Sequence, residues 1–155
     1  MLRYSTKTFS QLTVQELYDI LQLRSEVFVV EQNCVYQDID GKDQEALHVM
    51  GYHNEKLIAY TRVFKPGIYF SEASIGRVVV KQQERKHQYG YQIMKKAIEV
   101  IAEYYKTNTV KISAQCYLKS FYNNLGFKET GKEYLEDGIP HIAMLKKQCF
   151  IHPNR

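Results

Sequence analysis

The chain has 155 residues, a length that fits one domain, here taken as 1–155. A chain of this size buries roughly 70% of the surface its unfolded form exposes, so it needs no disulfide or metal staple. Its 45% hydrophobic and 25% charged residues are those of a globular protein, and its +4 net charge, interspersed with acids, does not imply nucleic acid.

Leu2 to Thr8 is polar and β-prone and reads as a first strand. Thr13-Val14-Gln15-Glu16 fits a capping box, whose side chains satisfy orphan amides at a helix start. The helix it opens is expected to run to about Val27, with Leu17, Ile20, Leu21, Arg24 and Phe28 on one face. Arg24 interrupts that apolar stripe; it is expected to snorkel or to pair with an acid such as Glu31 or Asp40. Phe28 to Gln32 is an apolar run ending in an acid and an amide. The acidic stretch Gln37 to Asp43 reads as a solvated loop and lacks the glutamate of a calcium-binding EF-hand. Leu47 to His53 alternates, with His48, Met50 and Tyr52 on one side. Leu57 to Phe64 returns after a turn, so the two form a hairpin.

Lys65-Pro66-Gly67 breaks the pattern, and the next strand ends in the β-branched run Val78-Val79-Val80, the mark of a buried strand. A polar, basic loop spans Lys81 to Gln88. From Tyr89 the period becomes helical, through Ile93, Met94, Ala97, Ile98, Ile101 and Ala102 to Tyr105. Val110 to Ala114 follows a crossover helix and should therefore lie parallel to Val78–Val80. Leu118 to Leu125 reads as a short helix with Gly126 as its left-handed cap. Phe127 to Leu135 and His141 to Leu145 are strands joined by a turn, and the tail from Lys146 to Arg155 is basic and unpatterned.

Cys34, Cys116 and Cys149 are widely spaced, with no C-x-x-C pair and so no zinc or redox signature. Free thiols suit a reducing cytoplasm. There is no charged-then-apolar leader and no apolar run of about 18 residues. A cytoplasmic protein without a membrane span or a metal is expected.

The unit of strand, basic loop and helix start over Ile75 to Tyr91 has a physical use. A helix N-terminus presents unpaired N–H groups and the positive end of the macrodipole, and a loop running into it can wrap a phosphate. Arg85, Lys86 and His87 add positive or donor character; the plain alternative is a solvated connection. Arg85-Lys86-His87-Gln88-Tyr89-Gly90 resembles the pyrophosphate-binding motif of the GCN5-related N-acetyltransferases, Arg/Gln-x-x-Gly-x-Gly/Ala. Gln88 stands where that family usually has its first glycine. Phe121-Tyr122-Asn123-Asn124-Leu125-Gly126-Phe127 resembles a second family motif, Phe-Tyr-x-x-x-Gly-Phe. RSEVFVVEQ, DIDGKD, IGRVVV, AQCYL and EDGIPHIAM are similar to the ElaA-like branch, so the resemblance runs from about Phe9 to Leu145.

The resemblance implies a mixed α/β fold, the acyl-CoA N-acyltransferase fold. Its central sheet is mostly antiparallel, with one splayed parallel strand pair and flanking helices. It implies transfer of acetyl from acetyl-CoA to a primary amine by direct attack in a ternary complex. Arg85, Lys86, His87, Gln88, Tyr89, Gly90 and Tyr91 would hold the pyrophosphate, mainly through backbone N–H groups. The main chain of Val78, Val79 and Val80 would run beside the pantetheine. Gln115 falls where many relatives have a cofactor-contacting asparagine.

A lysine-like amine has a pKa of about 10 and must lose a proton before attack. Glu31, His48 and His141 are the candidate bases, and the sequence leaves the choice open; for a strand histidine such as His48 a satisfied core position is the more frequent situation. By resemblance, Tyr122 protonates the departing thiolate; its alternative is a core aromatic beside Phe121. Two other functions stand beside this one. One is an acyl-homoserine-lactone synthase of the same fold, faintly suggested by Arg24, Phe28, Asp40 and Asp43, and opposed by the absence of tryptophan. The other is a non-catalytic acyl-CoA-binding module. The expected partners are acetyl-CoA and an amine acceptor, with no nucleic acid or membrane; a homodimer stays open.

Overall fold

Among residues 1–147, seven strands form one sheet in the order β1-β2-β3-β4-β5-β7-β6. β1 (Arg3–Thr8), β2 (Leu47–His53), β3 (Lys56–Phe64) and β4 (Ala73–Val80) each run antiparallel to the next. β5 (Thr109–Gln115) joins β4 in parallel, and β7 (Ile139–Lys147) and β6 (Lys128–Glu136) complete the far side antiparallel. The structure, a computed structural model, describes residues 1–147; Cys149 and the tail beyond Lys147 lie outside them. Among the described residues no helix is long and apolar enough to cross a membrane.

The capping box forms as expected. Thr13 Oγ1 accepts from the Glu16 N–H at 3.0 Å, and Glu16 Oε1 accepts from the Thr13 N–H at 2.8 Å. Such a cap contributes about 1 kcal/mol to the helix it opens, α1 (Val14–Arg24). The helix does not stop near Val27. A π-helical turn over Ser25–Glu31 extends it, bringing Val27 onto Ile20 and Leu23.

The sheet has a core on each face. Leu47, Val49 and Ile75 pack with α2 (Tyr89–Tyr105), whose Ile93, Met94, Ala97 and Ile101 form its buried stripe. Met50, Tyr60 and Val79 pack with the α1 side. The short α3 (Lys119–Asn123) follows β5, and Gly126 caps it at φ +96°.

β4 is not a regular strand. Tyr60 is level with Val79 and Arg62 with Gly76, so β4 spends three residues where β3 spends two. The extra residue lies at Arg77, whose φ of +49° is left-handed. Thr61 Oγ1 donates to the Gly76 carbonyl at 2.7 Å and pins the bulge. The bulge reverses which side chains face which core. Ala73 and Ile75 point to α2 before it; Val78 and Val80 do so after it, while Val79 turns to α1.

The parallel ladder with β5 covers only Ala73–Val110 and Ser74–Lys111. The expected pairing beside Val78–Val80 is therefore replaced by pairing at the opposite end of β4. Twist added at the bulge carries the rest of β4 away from β5. The basic loop is also more ordered than expected: Gln82–His87 form a 3-10 helix that ends at Gln88, and α2 starts at Tyr89.

Candidate active site

The divergence of β4 and β5 opens a cleft of about 110 Å³. Gly76 and Val78 line one side of the gap and Ile112 and Gln115 the other. Tyr122 approaches from α3, Phe28 and Gln32 from the π-helical turn, and His141 from β7. Four of the residues singled out in the sequence thus share this cleft: Val78, Gln115, Tyr122 and His141.

The Tyr122 side chain is buried, edge-on to Phe121 and Phe127 with centroids 5.0 and 6.0 Å away. Burial holds its hydroxyl well above the usual tyrosine range, so it stays protonated and serves as a donor. His141 Nδ1 lies 2.7 Å from the Ile139 carbonyl, which can only accept. Nδ1 therefore carries the hydrogen, and in the neutral ring Nε2 presents a lone pair. That Nε2 is 3.3 Å from Glu136 Oε2. Gln115 and Gln32 face each other with N···O distances of 3.4 Å, joining β5 to the π-helical turn.

The other predicted residues lie outside the cleft lining. His48 is fully buried in β2. Its Nε2 donates to the Asp43 carbonyl at 2.9 Å, which leaves Nδ1 to accept from the Tyr60 hydroxyl at 2.7 Å. Burial, the larger effect, lowers its pKa and keeps the ring neutral. Glu31 is held by Arg85, with N···O distances of 2.5 and 2.7 Å. Arg85 Nε also donates to the Val80 carbonyl at 3.2 Å, tying the end of β4 to the π-helical turn. Val79 is core.

In the loop, His87 stands 3.6 Å from Glu84 and packs near Tyr89, whose side chain is buried. The Tyr91 hydroxyl accepts from Asn124 at 3.1 Å. Lys86 is exposed. What this turn can offer an anion is thus the backbone at the start of α2, with Lys86 beside it. Gln88 is left-handed (φ +61°, ψ +26°), the conformation glycine adopts most readily.

One set of residues was missed. Arg24 pairs with Asp38 at 2.8 Å and Asp43 at 2.7 Å, rather than with Glu31 or Asp40. Arg62 pairs with Asp40 at 2.5 Å and Asp43 at 2.8 Å. Arg77 Nε stands 2.7 Å from Asp38 Oδ1. The acidic stretch is therefore not a solvated loop: Asp38 and Asp43 are buried under three guanidinium groups. Burial alone would raise the Asp40 and Asp43 carboxyls. The arginine hydrogen bonds and charges outweigh it and hold both below the usual carboxylate range. An arginine inside the apolar run Leu57 to Phe64 was the available signal.

Three arginines against three aspartates leave this network neutral. Arg62 and Arg77 line the cleft with their charge already met. The remaining charged groups of the lining are Glu136, Asp137 and, when protonated, His141. Their field reaches the cleft tyrosines. Burial first, then Glu136, raises Tyr69. Tyr36 is pushed up to about 12, by burial first and then by the Asp38 carboxylate, with Asp137 adding to it.

The sequence model of the acetyltransferase (GNAT) domain family matches residues 6–148. Protein ElaA of Escherichia coli strain K12 is 41% identical over 149 residues, covering 95% of this chain and 97% of that protein. The crystal structure of Escherichia coli ElaA superposes with a TM-score of 0.87 at 40% identity, over 95% of this chain and all of that one (100%). The crystal structure of an acyl-CoA N-acyltransferase from Pseudomonas aeruginosa gives the same TM-score, 0.87, at 39% identity, over 94% of this chain and 99% of the other. With the splayed parallel pair, the bulged β4 and the two motifs placed at that splay, the chain belongs to the GNAT family, in its ElaA-like branch, and is an N-acyltransferase.

Proposed function

We propose that the protein moves acetyl from acetyl-CoA to a primary amine by direct attack in a ternary complex. The observation that carries this reading is the separation of β4 from β5 beyond Ser74 and Lys111. It leaves the β4 edge at Val78 to Val80 without a partner strand; Arg85 Nε takes the Val80 carbonyl, and the main-chain groups that remain on that edge can pair with the pantetheine amides, like an added strand. The amides at the start of α2 then meet the pyrophosphate.

In the reaction the amine lone pair attacks the thioester carbonyl, a C–N bond forms and the C–S bond breaks. His141 Nε2 takes the proton from the amine, and Glu136 beside it stabilises the imidazolium that results. A β4 backbone N–H facing the oxyanion would contribute about 2.7–4 kcal/mol. Tyr122 donates a hydrogen bond to the departing sulfur. Its raised pKa makes it a better donor to a charged sulfur than a full proton source, so the thiolate is protonated from solvent. Glu31 and His48 take structural roles, one clamping Arg85 and the other supporting the Asp43 backbone. We place the protein in the cytoplasm, where free thiols such as Cys34 and Cys116 persist.

Thermal melting with acetyl-CoA tests the donor. A ligand at about a hundred times its dissociation constant stabilises the fold by about 2.7 kcal/mol. A melt unchanged by millimolar acetyl-CoA overturns the reading. A raised melt with no thiol release over a broad amine panel turns it into that of a binding module.

A further inference from the structure

We propose that Asp38 is a positioning residue for the donor: through Arg77 it holds the bulge that sets where the open edge of β4 meets the pantetheine arm of acetyl-CoA. This rests on the acetyl-transfer reading above and deepens it at the same site.

Arg77 is the strained residue of β4, left-handed at φ +49° although it carries a full side chain. Such a conformation costs free energy that glycine escapes, and it persists only where the surroundings over-determine it. Two contacts do so. Thr61 holds the Gly76 carbonyl just before the bulge. Asp38 holds the Arg77 side chain itself. Arg77 Nη2 donates to the Asp38 carbonyl at 2.9 Å. Arg77 Nε stands 2.7 Å from Asp38 Oδ1 as an ion pair, with its N–H off the hydrogen-bond line.

Asp38 is a fixed anchor, 7% exposed. Arg24, the fully buried last residue of α1, grips it twice: Nε donates to Oδ2 at 2.8 Å and Nη2 to the carbonyl at 3.2 Å. The Tyr36 hydroxyl donates to Oδ1 at 3.3 Å. A line of contacts thus runs from the end of α1 through Asp38 to Arg77 and β4. Arg77 and Tyr36 line the cleft and Asp38 does not, so Asp38 acts at one remove from a ligand.

What the bulge positions follows from alternation along β4. The Lys81 N–H donates to the Ile58 carbonyl on β3 at 2.8 Å. The Val80 and Val78 carbonyls therefore point the other way, to the side from which β5 has departed. Arg85 takes the Val80 carbonyl, and the Val78 carbonyl, next to Arg77, follows on that edge. Turning Arg77 out of the left-handed region would re-aim it. The pin at Asp38 keeps it aimed before the donor arrives, so a pantetheine amide meets a preorganised acceptor.

Calorimetric titration of the full chain with acetyl-CoA and with 3′-phospho-ADP, the nucleotide end of the same molecule, tests this without an amine. Only acetyl-CoA carries the arm that would lie along β4. Arg77→Ala keeps the left-handed strain and loses the pin. It should weaken acetyl-CoA about tenfold and the nucleotide less than about twofold, because a smaller share of the protein holds the bulge. Arg77→Gly loses the same guanidinium but also the strain, and should bind acetyl-CoA at least about threefold more tightly than Arg77→Ala. Asp38→Asn should weaken acetyl-CoA at least about threefold in the wild-type chain. In Arg77→Gly, where no pin is left to lose, it should do so less than about twofold.

An equal loss for both ligands, equal acetyl-CoA affinities in Arg77→Ala and Arg77→Gly, or the same loss for Asp38→Asn in both chains overturns the inference. Wild-type affinity in every variant does so too. Should Asp38→Asn fail to fold, the two Arg77 variants decide. A wild-type chain that binds the nucleotide as tightly as acetyl-CoA overturns the inference and leaves the pyrophosphate site standing. A wild-type chain that binds neither removes the acetyl-transfer reading and this inference with it.

Discussion

Gly90 lets the Phe121 ring close on the first turn of α2: a Cβ built on Gly90 would stand 3.3 Å from Phe121 Cζ and 3.4 Å from its Cε1. Gly90 therefore has a packing duty as well as its place in the phosphate-facing turn, and two substitutions separate the two. Gly90→Ala gains helix propensity of about 1 kcal/mol and strains the ring contact, so stability should change by less than about 1 kcal/mol. Gly90→Glu adds bulk and a negative charge to the same turn and should weaken acetyl-CoA binding strongly. Calorimetric titration of both variants checks this. Wild-type affinity in Gly90→Glu would move the pyrophosphate away from this turn.

Gln88→Gly should be tolerated and stabilise the fold by up to about 1 kcal/mol, because a side chain in the left-handed region carries a cost that glycine does not. The midpoint of urea unfolding measures it. A midpoint well below wild type would mean that the Gln88 side chain holds the turn.

Tyr122→Phe removes one hydroxyl and leaves the edge-on packing against Phe121 and Phe127 in place. A hydrogen bond aimed at charge that develops in the transition state typically contributes about 10²–10³-fold to the rate. Single-turnover acetyl transfer should slow by that order while acetyl-CoA affinity holds. Because burial raises the Tyr122 pKa, its ionisation should not appear as a falling limb between pH 7 and about 10. Equal single-turnover rates, with chemistry limiting, would make Tyr122 a core aromatic only.

Asp43 accepts from both Arg24 and Arg62. Asp43→Asn leaves two buried guanidinium groups short of a countercharge and should cost about 3–5 kcal/mol. The pH dependence follows from the lowered carboxyl pKa values of Asp40 and Asp43. A depressed carboxyl stabilises the fold fully above its unfolded pKa, about 3.9, and that share is lost as pH falls through the folded value. Wild-type stability should therefore fall below about pH 4, and the fall should be shallower in Asp43→Asn. Denaturant midpoints from pH 2 to 7 report both. Parallel curves for the two proteins would remove Asp43 from the acid transition.

Local pattern carried much of this structure. The capping box at Thr13, the hairpin from Leu47 to Phe64, and α2 at Tyr89–Tyr105 all follow from residues adjacent in sequence. What escaped depends on distant partners. Arg62 and Arg77 meet Asp38, Asp40 and Asp43 from other elements, and nothing near either arginine names those acids. The continuation of α1 as a π-helical turn depends on where Val27 finds its core. Of the candidate site, Val78, Gln115, Tyr122 and His141 were legible as positions, whereas the carboxylates Glu136 and Asp137 read only as a turn.

The bulge at Arg77 keeps the two halves of β4 in phase with one pair of cores. β4 behaves as two short strands of opposite parity sharing one ladder, with Ala73 and Ile75 on one count and Val78 and Val80 on the other. Flattening the bulge with every residue kept would present Val79 to α2 and its neighbours to α1, although no side chain is changed. Removing the one extra residue would straighten β4 and leave Val78, Val79 and Val80 facing as they do now. What this segment must preserve is therefore either the left-handed turn at Arg77 or a chain one residue shorter.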